Sequence, residues 1–310
     1  MAIFTSRENC ITLMRTIASA RDALRCDVGC IDVVVNGNRT LADQVSATLG
    51  VRSSMSPLLQ GCVRVWFVPF GDKANAWNHY IRGIWPGSDI AFFIDGYSRM
   101  RENSFDAIVE GMQGDDVAWG GSGVPTHGRW AKKVRDELLA TGGFSGNLGA
   151  IRGDVLRQIV ESGFGLPIGL YRVDSVIGAA LMFSLDPAHN TWNPKRVYVA
   201  AHASYDYDPL KWWRINDLFT HLRRRKRQIR GDIENAAVRH WMGIERRAPH
   251  TMPATISQLI EHWRDTAPSD VRRLLSRGKK YALAMNEQFV PRDWSRASAL
   301  PELLGELPIQ

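Results

Sequence analysis

The sequence predicts an α/β fold, a mostly parallel sheet flanked by helices, with a helical extension at the C-terminal end. Three observations carry that expectation. Strand candidates alternate with helical patterns through residue 205, as βαβ units require. The run Ile90-Ala91-Phe92-Phe93-Ile94 is apolar throughout and stops at Asp95-Gly96, which suits a strand covered on both faces. From Pro209 onward the apolar spacing is helical alone.

The elements follow in order. Ile3-Phe4 is a short first strand, and Cys10, Leu13, Met14 and Ile17 then recur on one helix face. Ile31 to Val35 is a second strand, ending in Asn36-Gly37. Val63 to Val68 is a third, running through Pro69 into Gly71-Asp72-Lys73 and a helix with Ala74, Trp77, Asn78 and Ile81 on one side. The strand ending in Asp95 is the fourth, and Phe105, Ile108, Val109 and Met112 mark the helix after it. Parallel strands with right-handed crossovers are the default for such a succession.

Beyond Asp116 the pattern loosens. Gly120, Gly121, Gly123, Gly142, Gly143, Gly146 and Gly149 surround a polar stretch from Thr126 to Glu137, which reads as a flexible lid or substrate loop. Ala150-Ile151 leads into a short helix, Val173-Asp174 opens another, and Val197 to Ala201 is the last strand. Residues 206–310 read as a helical extension. Ile215, Leu218, Phe219 and Leu222 form one face there, and Ile256, Leu259, Ile260 and Trp263 form another. Ser269 as N-cap and Gly278 beyond the C-terminus bracket a further helix.

Composition narrows the classes. At 310 residues and 45% hydrophobic the chain can build a large core. No apolar run approaches the ~20 residues of a membrane span, and no basic region followed by an apolar stretch opens the sequence, so the expectation is a cytoplasmic protein. Cys10, Cys26, Cys30 and Cys62 fit neither a zinc pattern nor a disulfide framework and read as reduced thiols. A net charge of +7 suits an anionic ligand, an anionic membrane surface or nucleic acid. Much of the excess lies in Arg223-Arg224-Arg225-Lys226-Arg227 and Arg230. Eleven tryptophans, among them Trp130, Trp212 and Trp213, offer stacking surfaces for a sugar or core packing.

The strand ends carry Thr5-Ser6-Arg7-Glu8, Asn36-Gly37-Asn38, Gly71-Asp72-Lys73 and Asp95. In a parallel sheet these lie along one edge, where ligands of open α/β folds bind. In that order and spacing the chain resembles the GT-A (Rossmann-like) glycosyltransferases, and within them the inverting family 2, over residues 1–205. Thr5-Ser6-Arg7-Glu8 stands where that family grips the nucleoside, and Asn36-Gly37-Asn38-Arg39 where it carries Asp-Asp-Gly-Ser. The segment Gly71 to Asn78 looks like its Gly-x-x-x-Ala-x-Asn stretch, and Asp95-Gly96-Tyr97 like its Asp-x-Asp metal motif. Gly146-Asn147-Leu148-Gly149-Ala150-Ile151-Arg152 looks like its acceptor-side segment.

The resemblance implies a nucleoside-diphosphate sugar, UDP by preference, bound by Thr5, Ser6, Arg7, Glu8, Asn36, Lys73, Asn78, Asp95 and Gly96. It implies Gly146, Asn147, Gly149 and Arg152 on the side of a saccharide or lipid-linked hydroxyl acceptor. Asp174 matches the catalytic base, the carboxylate that accepts the acceptor proton. From local sequence alone Asp174 reads equally well as a helix cap beside Ser175. A Mg²⁺ or Mn²⁺ ion would be held by Asp95 and His202, with Tyr97 standing where the family has its second carboxylate. Lys73, Arg152 and Arg172 are candidates to neutralise the leaving diphosphate.

Three other readings stay open. The departures at Asn36 and Tyr97 suit a nucleotide-binding pseudoenzyme. The Arg223–Arg230 run suits nucleic acid, anionic lipid or a solvated helix end, with nucleic acid the least favoured. A sugar nucleotidyltransferase lacks its glycine-rich basic loop after Phe4.

Overall fold

The computed structural model describes residues 1–24, 29–51, 61–127, 131–208 and 215–308, with the backbone alone over 215–225. The first half forms as the alternation predicts. β1 (Ala2–Thr5) leads to α1 (Cys10–Ala23), β2 (Cys30–Asn36) to α2 (Arg39–Leu49), and β3 (Cys62–Val68) to α3 (Lys73–His79), followed by β4 (Ile90–Asp95). Side chains begin all three helices: Asn9, Asn38 and Asp72 each accept from a backbone amide of the first turn, satisfying one of its orphan donors.

The chain then gives β5 (Arg99–Met100), α4 (Ser104–Gln113), β6 (Gly120–Pro125), α5 (Ala131–Thr141), β7 (Gly149–Arg152), α6 (Gly153–Glu161), α7 (Val173–Met182) and β8 (Val197–Asp206). Four helices follow, α8 (Ile215–Val238), α9 (Ile256–Thr266), α10 (Pro268–Leu275) and α11 (Lys279–Gln288), and then β9 (Glu302–Pro308). The sheet order is β5-β8-β6-β7-β4-β1-β2-β3-β9. The block β3-β2-β1-β4 is parallel, as expected, whereas β7 is antiparallel to β4 and β6, and β9 and β5 run antiparallel at the two edges.

Both faces of the central strands are covered. Ala2, Phe4, Ala91 and Phe93 join one core with α3, α6 and α7 and the C-terminal helices. Ile3, Phe92 and Ile94 join the other with α1, α2 and α4. Alternate residues of one strand therefore serve opposite cores, which is why the run before Asp95 has no polar position.

Four expectations are corrected. The glycine-rich stretch after Asp116 is not irregular throughout: Gly120–Pro125 is a buried strand and Ala131–Thr141 is α5, while residues 128–130 of the expected lid lie outside the described residues. A Cβ at Gly121 would stand 2.5 Å from Ile108 Cγ2, and one at Gly123 2.4 Å from Leu148 Cδ2, so close packing requires these glycines. The extension is not wholly helical, because β9 returns to pair with β3. Helix α10 starts from Ala267 with Pro268 in its first turn, and Gly278 precedes α11, so Ser269 is not its cap. The last strand runs on past Ala201 to Asp206. Cys30 and Cys62 face each other across β2 and β3 with sulfurs 2.6 Å apart. Trp130, Trp212, Trp213, Cys26 and the side chains of Arg223–Arg225 lie outside the described residues.

Candidate active site

The carboxyl ends of β1, β2, β3 and β4 open onto a cleft of about 380 Å³. Its floor comes from Thr5–Glu8, Asn36, Asp72, Lys73 and Asp95, the strand-end residues singled out above. Its far wall comes from Gly146 and Asn147, from Gly169–Arg172 and from Asp174. Parallel pairing brings these together: Phe4 is level with Asp95, and Thr5 with Val35.

The β1–α1 loop is organised by its own acid. Thr5 Oγ1 donates to Glu8 Oε2 at 2.7 Å, and the Ser6 and Arg7 amides donate to the same oxygen at 3.0 Å each. Burial alone would raise the Glu8 pKa, but the bonds from Ser6, Thr5 and Arg7 outweigh it and hold Glu8 below the ordinary glutamate range. Asn36, in the amide orientation that satisfies both its groups, donates to the Thr5 carbonyl at 2.7 Å and accepts from the Asp72 amide at 3.1 Å. Gly37, at φ +70°, lets the β2–α2 loop pass the β3–α3 loop; a Cβ there would lie 2.3 Å from Gly71 Cα.

At the centre Lys73 Nζ bonds Asp95 Oδ1, and the Tyr97 hydroxyl donates to Asp95 Oδ2 at 3.2 Å. Burial pushes the Asp95 pKa up, with Lys73 working against it. Burial would lower that of Lys73, but Asp95, and behind it Asp174 and Glu8, hold it above the ordinary lysine value. Lys73 therefore stays an ammonium at neutral pH. Asp174 is the second residue of α7, whose cap position is Arg172, so its carboxylate is not spent as an N-cap. A Cβ at Gly146 would stand 3.4 Å from Asp174 Cβ and 3.5 Å from Lys73 Nζ, so bare backbone passes between them.

The loop that carries the far wall is held from several sides. Asn78 exchanges two bonds with Leu166, at 2.9 and 2.8 Å. Asp72 Oδ2 accepts from the Gly169 amide at 3.0 Å, and Arg230 donates to the Gly169 carbonyl. Glu234, buried in α8, accepts from the Tyr171 and Arg172 amides at 2.8 and 3.1 Å and from Arg230 at 2.7 Å. Burial raises the Glu234 pKa, opposed by Arg230.

Several residues assigned by resemblance stand elsewhere. Asn78 does not line the cleft; its amide is consumed in positioning the 166–170 loop. Gly96 packs against Thr5, where a Cβ would be 2.7 Å from Thr5 Cβ. Gly149 packs under the Phe144 ring. Arg152 pairs in register with Ile90, at the opposite edge of the sheet from Asp95, because β7 runs antiparallel to β4. His202 is exposed, in a register shift where β8 bulges against β6, and it is not among the cleft residues. The strand continues beyond it, and Tyr205 is what comes near, its hydroxyl 3.4 Å from Asn147 Nδ2.

Sequence reasoning missed Asp72 and Tyr97 as working side chains, and Arg227, Arg230 and Arg292 as cleft residues. The basic run held the only signal for two of them. Arg227 lies over the Tyr171 ring and lines the cleft, so that part of the run is turned inward, whereas Lys226 pairs with Glu287 at 2.6 Å on the surface. Arg292, at the end of the helical segment, had no signal at all. With Arg7, Lys73 and Arg172, the described cleft has six cations against the carboxylates of Glu8, Asp72, Asp95 and Asp174.

The fold is that of the GT-A glycosyltransferases, as likeness to solved structures shows. Among solved structures, the chain is similar to a mannosyltransferase, PcManGT from Pyrobaculum calidifontis, solved with GDP-Man and Mn²⁺. The TM-score is 0.52 at 13% identity, over 93% of this chain and 82% of that one. It is also similar to glucosyl-3-phosphoglycerate synthase from Mycobacterium tuberculosis in complex with phosphoglyceric acid, with a TM-score of 0.46 at 14% identity over 76% of this chain and 78% of that one. No family model and no curated protein matches the sequence. Among the described residues no helix is long and apolar enough to cross a membrane.

Proposed function

We propose that the protein is a glycosyltransferase that moves a sugar from a nucleoside-diphosphate donor to a hydroxyl acceptor in this cleft. The observation that carries the reading is the convergence of Thr5–Glu8, Asn36, Lys73, Asp95 and Asp174 on one edge of a GT-A sheet. The sugar donor of the Pyrobaculum mannosyltransferase supports it. UDP is the favoured nucleotide.

The chemistry follows from what each group does. The nucleoside lies along Thr5–Glu8 and Asn36. The diphosphate meets Lys73 and the arginines, whose fixed positive charge stabilises the leaving group as its charge develops. Asp174 takes the proton of the acceptor hydroxyl while that oxygen forms a bond to the anomeric carbon. The carbon–oxygen bond to the diphosphate breaks with its electron pair, and the configuration inverts. What supports Asp174 as the base is its place on the wall facing Lys73 and Asp95, with a carboxylate that caps nothing.

Asp95 has the oxygen chemistry of a Mg²⁺ or Mn²⁺ ligand, the remainder of the shell coming from phosphate and water. The Mn²⁺ in the mannosyltransferase structure supports such an ion. It would neutralise the diphosphate and would share Asp95 with the Lys73 ammonium. The acceptor, free or lipid-linked, approaches past Gly146 and Asn147. Contact of the Arg223–Arg230 run with anionic lipid belongs to the same reading, and vesicles with and without phosphatidylserine test it.

Thermal shift with UDP, GDP, dTDP and CMP, each with and without Mn²⁺, tests the donor site, because a ligand of the native state raises the midpoint by mass action. One nucleotide is expected to raise it, and the rise is expected to vanish in the double variant Asp95→Ala, Lys73→Ala. An equal rise in the double variant rejects the placement. Donor binding without transfer to any acceptor would favour the nucleotide-binding pseudoenzyme.

A further inference from the structure

Away from the cleft, two imidazoles and a carboxylate converge in the C-terminal helices. α8 ends in a π-helical turn, Arg239–Ile244, of a kind frequent at functional sites. That turn carries His240, Glu245 follows it directly, and His262 comes from α9. His240 Nε2 lies 3.0 Å from Glu245 Oε1, and His262 Nε2 lies 2.8 and 2.9 Å from the two Glu245 oxygens. The three candidate ligand atoms all lie within 4.8 Å of one another.

We propose that His240, Glu245 and His262 form a binding site for a zinc-type divalent cation that fastens the end of α8 to α9. Imidazole nitrogen with one carboxylate is a zinc donor set, each ligand atom about 2.0–2.2 Å from the ion. Atoms at that radius around a tetrahedral ion are roughly 3.3 Å apart. Glu245 already lies within about half an ångström of that spacing from each imidazole, and the three atoms, all within 4.8 Å of one another, draw together around the ion. His240 is buried, and Glu245 and His262 are 17% and 24% exposed, which leaves a path for an ion and a water ligand. Thr266 Oγ1 donates to the His262 carbonyl at 2.8 Å and so presents lone pairs 2.9 Å from His240 Nε2. It is placed to be a fourth neighbour.

Without an ion, one carboxylate receives both Nε2 groups as well as Arg247 at 2.8 Å. The Nδ1 atom of His240 is buried with no hydrogen-bond partner among the described residues, so the network they form is incomplete at that ring whichever nitrogen bears the proton. An ion replaces Nε2 protons with ligand bonds and adds no new orphan. The Arg247 side chain is 49% exposed and lies over the Trp241 ring, so it can leave Glu245 for solvent as the ion enters. The Trp241 ring stands edge-on to His262 at 4.9 Å, giving a built-in reporter.

The full chain, stripped with a chelator and dialysed, is titrated with ZnCl₂ alone and followed by calorimetry and tryptophan fluorescence. One ion per chain is expected at this site, with a fluorescence change and a midpoint rise of roughly 5 °C at a hundredfold excess over Kd. His262→Ala and Glu245→Gln are expected to weaken binding at least about 100-fold, since loss even of a supporting partner costs 10–100-fold. The milder His262→Gln, checked by circular dichroism, covers the case in which the alanine variant misfolds. Asp95→Asn separates the cleft: the helical site is expected to survive it. Zinc affinity and stoichiometry unchanged in a folded His262 or Glu245 variant overturn the proposal. So does an absence of stoichiometric zinc in the wild-type chain, or a zinc signal abolished by Asp95→Asn alone.

Discussion

Two cation–carboxylate pairs stand at opposite edges of the same sheet, and they are built differently. Near the amino ends, Asp32 is wholly buried and takes Arg64 on both oxygens, at 2.6 and 3.0 Å, with Trp66 Nε1 adding a third bond at 3.0 Å. Every lone-pair direction that matters has a partner fixed by β2 and β3. At the carboxyl ends, Asp95 takes a flexible lysine on one oxygen and a tyrosine hydroxyl on the other. Asp174 and Glu8 are near enough to bias Lys73, and an open cleft lies above. The first pair is closed and can only hold the fold. The second keeps donors and acceptors in reserve, as a site that must exchange partners with a ligand requires.

That contrast orders the experiments. The largest effect is expected at Asp174. Asp174→Asn should lower turnover by on the order of 10²–10⁴-fold while leaving the midpoint and donor binding unchanged. Asp154, on α6, is the control; its substitution by Asn should change neither rate nor stability. Wild-type turnover by Asp174→Asn, with acceptor saturating, would falsify the base assignment.

Next in size is the closed pair. Asp32→Ala strands Arg64 and Trp66 in the interior and should cost about 3–5 kcal/mol, read as a lower denaturant midpoint. If Asp95→Ala proves equally costly to stability, the two pairs do the same job and the contrast fails.

Lys73→Met should leave the fold intact and weaken nucleoside-diphosphate binding by roughly 10–100-fold, the worth of a charge-assisted bond of about 1.5–3 kcal/mol. Calorimetry against the nucleoside and the nucleoside diphosphate would sharpen it. Only the second should suffer, and equal loss for both would move Lys73 away from the phosphates.

The smallest effect concerns Glu8. Its folded pKa is depressed, so it contributes stability above the ordinary glutamate value, and that contribution is lost as pH falls through the folded one. Below about pH 4.3 wild type should lose an increment of under about 1 kcal/mol that Glu8→Gln lacks at every pH. Midpoints measured against pH for both proteins check it; parallel curves would leave the β1–α1 loop independent of the Glu8 charge.

The sequence by itself determined the parallel block and its polar edge. Apolar runs with period-two service to two cores, side-chain caps at Asn9, Asn38 and Asp72, and the stop at Asp95 are local events, written within a few residues each. Residues following those strands were legible for the same reason: Thr5–Glu8, Asn36, Lys73 and Asp95 need only a parallel register to meet. Tertiary structure decided the rest. The direction of β7 is set by pairing with β4 and β6, and it carried Arg152 to the wrong edge. The bulge in β8 left His202 outside. The glycines of β6 answer to Ile108 and Leu148 across the core, contacts no local pattern records. Arg230 and Arg292 reach the cleft because α8 packs against α7, α9 and α11 and β9 returns to pair with β3, which fixes both ends of the helical segment. Strand direction and the docking of distant helices follow from burying surface between segments far apart in the chain, and no residue's immediate neighbours carry that information.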